Sequence, residues 1–186
     1  MTASALLSLA TAFGLSTAAG LSAYIPLFVV AVLARTTDLV TLSEPYDALA
    51  SWWVIVVLGV LMVIEILVDK IPIADTVDDI VHTFIRPAAG AILFAASTNV
   101  IGLHPAVAAV CGVIVAGGVH AAKSLTRPVV TAVTAGTGNP VVSTVEEAIS
   151  FILSVLAVVA PYLMLAVLVV FVSLLLWWVV RRRRSR

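Results

Sequence analysis

The sequence predicts an all-α membrane bundle of about six transmembrane helices with broken or re-entrant segments. Three observations lead there. Hydrophobic residues make up 62% of the chain and charged residues only 11%, a balance foreign to soluble domains. Apolar runs able to cross hydrocarbon recur along the whole length, so residues 1–186 read as a single integral membrane domain. The charge that is present is concentrated. Glu65 to Pro87, EILVDKIPIADTVDDIVHTFIRP, holds five of the ten carboxylates together with Lys70, His82 and Arg86. Charge that dense in so apolar a chain is costly to bury without partners, which makes this stretch the first place to look for function.

The first span is expected over residues 4–34. Its length of about 30 residues exceeds the roughly 20 needed to cross hydrocarbon. Gly14, Gly20 and Pro26 interrupt it within GLSTAAGLSAYIPLF. A proline inside a helix removes a backbone hydrogen bond and clashes with the preceding turn, so one tilted or broken helix is expected, weakest from Gly20 through Tyr24 to Pro26. The small residues suit close helix packing equally well. No basic residue precedes the run as in a cleavable signal, so a retained span is expected.

Arg35 to Ser51 reads as a polar connection, and Trp52 and Trp53 mark an interface. The second span follows over 52–69, interrupted late by Glu65 and closed by Asp69, Lys70 and Pro72. Residues 75–86 are amphipathic. Asp75, Asp78, Asp79 and His82 share one side of a helix, and Val77, Ile80, Val81, Phe84 and Ile85 the other. Too short and too charged to cross, this stretch is expected as an interfacial or re-entrant helix that ends at Arg86-Pro87. The third span is expected over 87–101 and the fourth over 105–123, with Arg127-Pro128 beyond it. Val129 to Pro140 reads as a loop or re-entrant dip broken at Asn139 and Pro140. Ser143 or Thr144, with Glu146 or Glu147 three residues on, is a capping-box pattern that starts the next helix. The following run of about 36 residues would be roughly 54 Å long as one helix, too long for one span. Pro161 divides it into spans over 144–160 and 162–180, the last ending at Trp177 and Trp178.

Six spans put both termini on one side. Five of the ten basic residues lie in the final RRRRSR, which places that side of this multi-pass protein in the cytoplasm. Each half carries a charged patch followed by an Arg-Pro pair, the pattern of a 3+3 inverted repeat. The register is poor, because His82 precedes Arg86 by four residues whereas His120 precedes Arg127 by seven.

Glu65 is the sharpest candidate: a proton or cation carrier, or one half of a structural ion pair with Lys70, Lys123 or Arg127. Asp75, Asp78 and Asp79, beside Asp69, are candidate ligands of a divalent cation such as magnesium, or a plain solvated helix face. His120 and Lys123 share a face three residues apart. His82 and His104 read as interfacial residues with no special role. Cys111 is a lone packing residue. No GxxxxGKS, HExxH or CxxC occurs, which removes the common nucleotide, zinc-protease and dithiol readings.

Taken together, GLSAYIPL, ExxxDKIPxxDxxxD, RPxxG, HxxK with RP, and GNPxxS followed by Glu-Glu resemble a bacterial membrane family catalogued as domain of unknown function 4126. The resemblance runs from about Gly14 to about Leu176. It falls on Gly20, Tyr24, Pro26, Glu65, Asp69, Lys70, Pro72, Asp75, Arg86, Pro87, His120, Lys123, Arg127, Pro128, Asn139 and Pro140. It implies a small multi-span inner-membrane protein and brings no substrate or activity.

The leading functional expectation is a small transporter or channel-like protein for an ion or small polar solute. Glu65 and the Asp69–Asp79 group bind or exchange a cation or proton, with Arg86, His120, Lys123 and Arg127 as counter-charges. Expected partners are the lipid bilayer and the solute, with a homodimer as one way to enclose a path, and no nucleic acid. Two other readings stay open. One is a magnesium-dependent membrane enzyme acting on lipid-linked phosphates held by Arg86, Lys123 and Arg127. The other is a non-catalytic assembly factor.

Overall fold

A computed structural model describes residues 3–69, 72–98 and 101–184, with the side chains at 72–80, 175, 176, 179, 180 and 182–184 outside the description. Seven α-helices make up the described chain: α1 Ala3–Leu21, α2 Tyr24–Thr36, α3 Trp52–Val68, α4 Pro72–Thr98, α5 Pro105–Thr134, α6 Asn139–Val159 and α7 Pro161–Arg184. A 3₁₀ turn over Tyr46–Ala50 precedes α3, and no strand occurs among the described residues. The all-helical expectation is borne out. Among the described residues α1, α5 and α6 are long and apolar enough to cross a membrane, and α2, α3 and the first part of α7 are shorter apolar helices.

Polarity is arranged inside out. Trp53, Val56, Val60, Val63 and Leu67 on α3, and Val169, Val170 and Phe171 on α7, face outward, whereas Glu65, Asp69, His82, Arg86, Lys123 and Arg127 are buried. Such a surface suits hydrocarbon, and such an interior has to satisfy its own charges.

Helix α1 is the axis of the bundle, packed against α4, α5, α6 and α7. Its sequence explains the position. Ala10, Ala12, Gly14, Ser16, Ala18, Ala19 and Gly20 are all buried, and small residues let neighbouring backbones approach closely. A Cβ on Gly20 would lie 2.6 Å from the Ala116 carbonyl oxygen. The pairing of α4 with α5 is tighter still, because a Cβ on Gly90 or on Gly112 would overlap the other's backbone.

The chain reverses between α1 and α2. Thr11 donates to the Ala157 carbonyl and Ser150 to that of Ala18, while Ser16 donates to the Gly90 carbonyl and Phe13 packs on Phe94, so α1 runs antiparallel to α4 and α6. Helix α2 then runs back beside α3: Ser22 meets Glu65, Phe28 packs on Gly59, and the Arg35 guanidinium lies 5.5 Å from the Trp52 ring. Val30 consequently lines the same cavity as Leu7, Thr11 and Leu15. Residues 4–34 are thus a helical hairpin, not one tilted span. Pro26 does not make the break; it sits in the first turn of α2, where its missing N–H has no intrahelical partner to lose. With 13 residues α2 is about 20 Å long, short of a hydrocarbon core of about 30 Å. Beside the hairpin tip α5 continues from Lys123 to Thr134, a further 16 Å or so. The tip therefore ends inside the bundle.

Other expected boundaries also shift. Residues 75–86 and the third span are one helix, α4, which runs through Pro87, and α5 runs through Pro128. Both Arg-Pro pairs lie within helices, since packing against neighbours holds a chain that propensity alone would end. Val129 to Thr134 completes α5 rather than forming a loop. The turn into α6 uses Ala135 at φ 52° and Gly136 at φ 84°, a left-handed conformation that glycine adopts without cost. Asn139 and Pro140 open α6 instead of breaking a helix, and the expected start at the capping box comes four or five residues too late. The seven helices do not divide into two sets of three. Pro161 lies beside Leu7 and Thr11, and Met164 packs on Gly14, so α7 sets out in the same sense as α1.

Candidate functional site

The break between α1 and α2 leaves helix-end groups in an apolar interior, the last carbonyls of one helix and the first amides of the next. Two buried charges meet them. The Glu65 carboxylate, 2% exposed, accepts from Ser22 Oγ at 2.6 Å through Oε2 and from the Ala23 amide at 3.3 Å through Oε1. The Lys123 ammonium donates to the Leu21 carbonyl at 3.2 Å. Each charge matches the sign of its helix end, an anion at the start of α2 and a cation at the close of α1.

Around Glu65, α4 supplies His82, with Nε2 at 3.4 Å from Oε1, and Arg86, with Nη2 at 3.5 Å from the same oxygen. Arg86 is fully buried, and its Nη1 lies 2.9 Å from His120 Nδ1 on α5. A guanidinium can only donate, so Nδ1 is the acceptor and His120 is the neutral Nε2–H tautomer. That N–H donates in turn to Thr83 Oγ1 at 3.2 Å. The Tyr24 ring meets the His82 ring edge-on at a centroid distance of 5.8 Å.

A second group lies one turn along α3. Asp69 Oδ2 accepts from Ser143 Oγ at 2.7 Å and is 3.6 Å from Arg127 Nη2. Asp69 Oδ1, also buried, has no hydrogen-bond partner. Glu146 Oε2 joins both cations of α5, at 2.9 Å from Lys123 Nζ and 3.4 Å from Arg127 Nη2. Ser143 Oγ also lies 3.2 Å from Glu147 Oε1. Lys123 belongs to both groups and links the hairpin tip to α6.

The structure brings Glu65, Asp69, Arg86, His120, Lys123 and Arg127 together, with Gly20 and Tyr24 at the hairpin tip. Lys70 lies outside the described residues. Asp75, Asp78 and Asp79 fall on the first turns of α4, with their side chains outside the description. Among the described residues no three His, Cys, Asp or Glu side chains are grouped to hold a metal ion. Asn139 and Pro140 stand apart, Asn139 pairing with Thr131 at 3.0 Å. His104 likewise stands apart, capping α5 by accepting from the Ala106 amide at 3.3 Å.

His82, Ser143 and Glu146 belong to the site although the sequence reading gave them no part in it. His82 was legible in one respect: it stands four residues before Arg86, on the same helix face. Glu146 and Ser143 looked like a local cap, and nothing in the sequence showed that they face Lys123 and Asp69.

An apolar exterior closed around a charged interior at the tip of a helical hairpin defines the class: a helical, membrane-type bundle with an internal polar site. The sequence profile of the family described as Domain of unknown function (DUF4126) matches residues 9–182, and the chain belongs to that family. No curated protein and no solved structure matches it.

Proposed function

We propose that the protein is a small membrane transporter or channel-like protein for an ion or small polar solute, with Glu65 as its exchange site. The observation that carries this reading is the carboxylate itself: buried, and bonded to backbone and hydroxyl at the point where the helix pair breaks. Broken helices with charged groups at their ends form the ion and solute sites of transporters, where helix-end amides and carbonyls serve as ligands. A purely structural pair would need one basic partner. Glu65 instead meets Ser22, Ala23, His82 and Arg86, so a change in its protonation or occupancy is felt by the hairpin and α4 together.

Asp69, His120, Lys123 and Arg127 act as counter-charges that keep the interior near neutrality while Glu65 exchanges its ligand. Lys70, Asp75, Asp78 and Asp79 are the further ion-binding residues of this reading. The arginine-rich end of α7 lies on the cytoplasmic side of the inner membrane by the positive-inside rule. Two copies together enclose the path.

The test is flux into liposomes reconstituted with purified protein, read with pH- and cation-sensitive dyes. Wild type is expected to carry flux, and folded Glu65→Gln to lose it by at least about tenfold, because an intramembrane ionisable residue marks the ion pathway. Undiminished flux through Glu65→Gln, or none through wild type, overturns the proposal.

A further inference from the structure

Between the arms of the hairpin, at the end opposite its tip, lies an open cavity of about 220 Å³. It is bounded by α1, α2, α4, the segment after α2, the end of α6 and the start of α7, and no charged side chain lines it. Ser8, Thr11, Thr41 and Ser97 bring hydroxyls to it, while Leu15 and Val30, each 2% exposed, close its floor. From that floor to Ser22 is seven residues of α1, about 10 Å of helix, and Ser22 is bonded to Glu65. The cavity has room for several water molecules at about 30 Å³ each.

The hydroxyls also indicate a sign. Thr11 spends its hydrogen on the Ala157 carbonyl and Ser97 on that of Leu93. What each has left is oxygen lone pairs, which accept. At these two of its four hydroxyls the cavity favours donors such as water, hydrated cations and ammonium groups over anions. We infer that it is the water-filled entrance through which a small hydrated cation approaches the hairpin tip, with Leu15 and Val30 as the apolar barrier between them. This rests on the transport reading above and narrows its solute to a cation.

The test uses the full chain with Cys111→Ala as background. Single cysteines are placed in the cavity (Thr11→Cys, Ser97→Cys) and on the apolar outer face of α3 (Val60→Cys). Each reconstituted protein is treated with membrane-impermeant thiosulfonates, one cationic and one anionic, and flux is read in the same vesicles. Thiols react as thiolates, which form where water reaches, so both cavity positions are expected to label at least about tenfold faster than Val60→Cys. The cationic reagent is expected to outpace the anionic one, and labelled Thr11→Cys to lose its flux. Cavity cysteines that label no faster than Val60→Cys show a dry pocket and overturn the entrance. An anionic reagent that reacts as fast overturns the cation preference, and full flux after labelling overturns the route. Absence of flux in the unmodified background, when Cys111-intact protein also has none, overturns the transport reading instead. Because Thr11→Cys and Ser97→Cys lie on different helices, a folding defect in one leaves the other to decide.

Discussion

Glu65 and Asp69 stand one helical turn apart at the end of α3, and they are held in different ways. Glu65 faces the hairpin and α4, and two of its partners belong to the break itself, the Ser22 hydroxyl and the Ala23 amide. Asp69 is tied by side chains alone, Ser143 of α6 and Arg127 of α5, and one of its oxygens has no hydrogen-bond partner. A backbone amide cannot choose another rotamer, so the surroundings of Glu65 are set by the path of the chain. Those of Asp69 depend on side chains that can rearrange. The difference separates a carboxylate that completes a fold defect from one that ties helices together.

The strongest way to break this contrast is to remove the charge behind Glu65. Arg86→Leu leaves a buried carboxylate short of its guanidinium and is expected to cost about 3–5 kcal/mol. Loss of a monodisperse peak in detergent, or a collapse of the thermal midpoint, would register it; a stable Arg86→Leu protein would show that the guanidinium is dispensable. Next comes the comparison itself. Glu65→Gln is expected to destabilise by about 2 kcal/mol and Asp69→Asn by about 1 kcal/mol, because hydrogen bonds to a charged acceptor are worth more and Glu65 makes more of them. Thermal unfolding of both variants in one detergent measures the order, and a larger loss at Asp69 would reverse it. Smallest is Ser143→Ala. It removes one interhelical hydrogen bond to Asp69 and should cost about 0.6 kcal/mol, the average for such bonds between membrane helices. A Ser143→Ala midpoint lower than that of Asp69→Asn would mean that Ser143 serves Glu147 as well.

Much of this site can be read from the residues. A glutamate in an apolar span, with Lys123 and Arg127 on another, announces a buried ion network because hydrocarbon leaves it no alternative. The reversal at Ser22 could not be read. Hydropathy records how apolar a run is but not which way it travels, and 30 residues fit one tilted span as well as two short arms. Pro26 drew attention to the right neighbourhood for the wrong reason: it starts α2, and the break falls three to four residues earlier. Residues 75–86 misled because an amphipathic face looks interfacial until its partner is known. Here His82 and Arg86 turn toward Glu65, and α4 continues past Pro87 into the core.

The hairpin also sets an order on how the protein can be made. Ser22 lies 43 positions before the glutamate that meets it, and Leu21 lies 102 positions before the lysine that meets its carbonyl. Synthesis therefore delivers the helix pair long before anything that can seal it. Open backbone groups in hydrocarbon cost several kcal/mol each, so α1 and α2 have to wait in a wetter place until α3 and then α5 arrive. The element at the centre of the finished bundle is the first to be made and among the last to be seated.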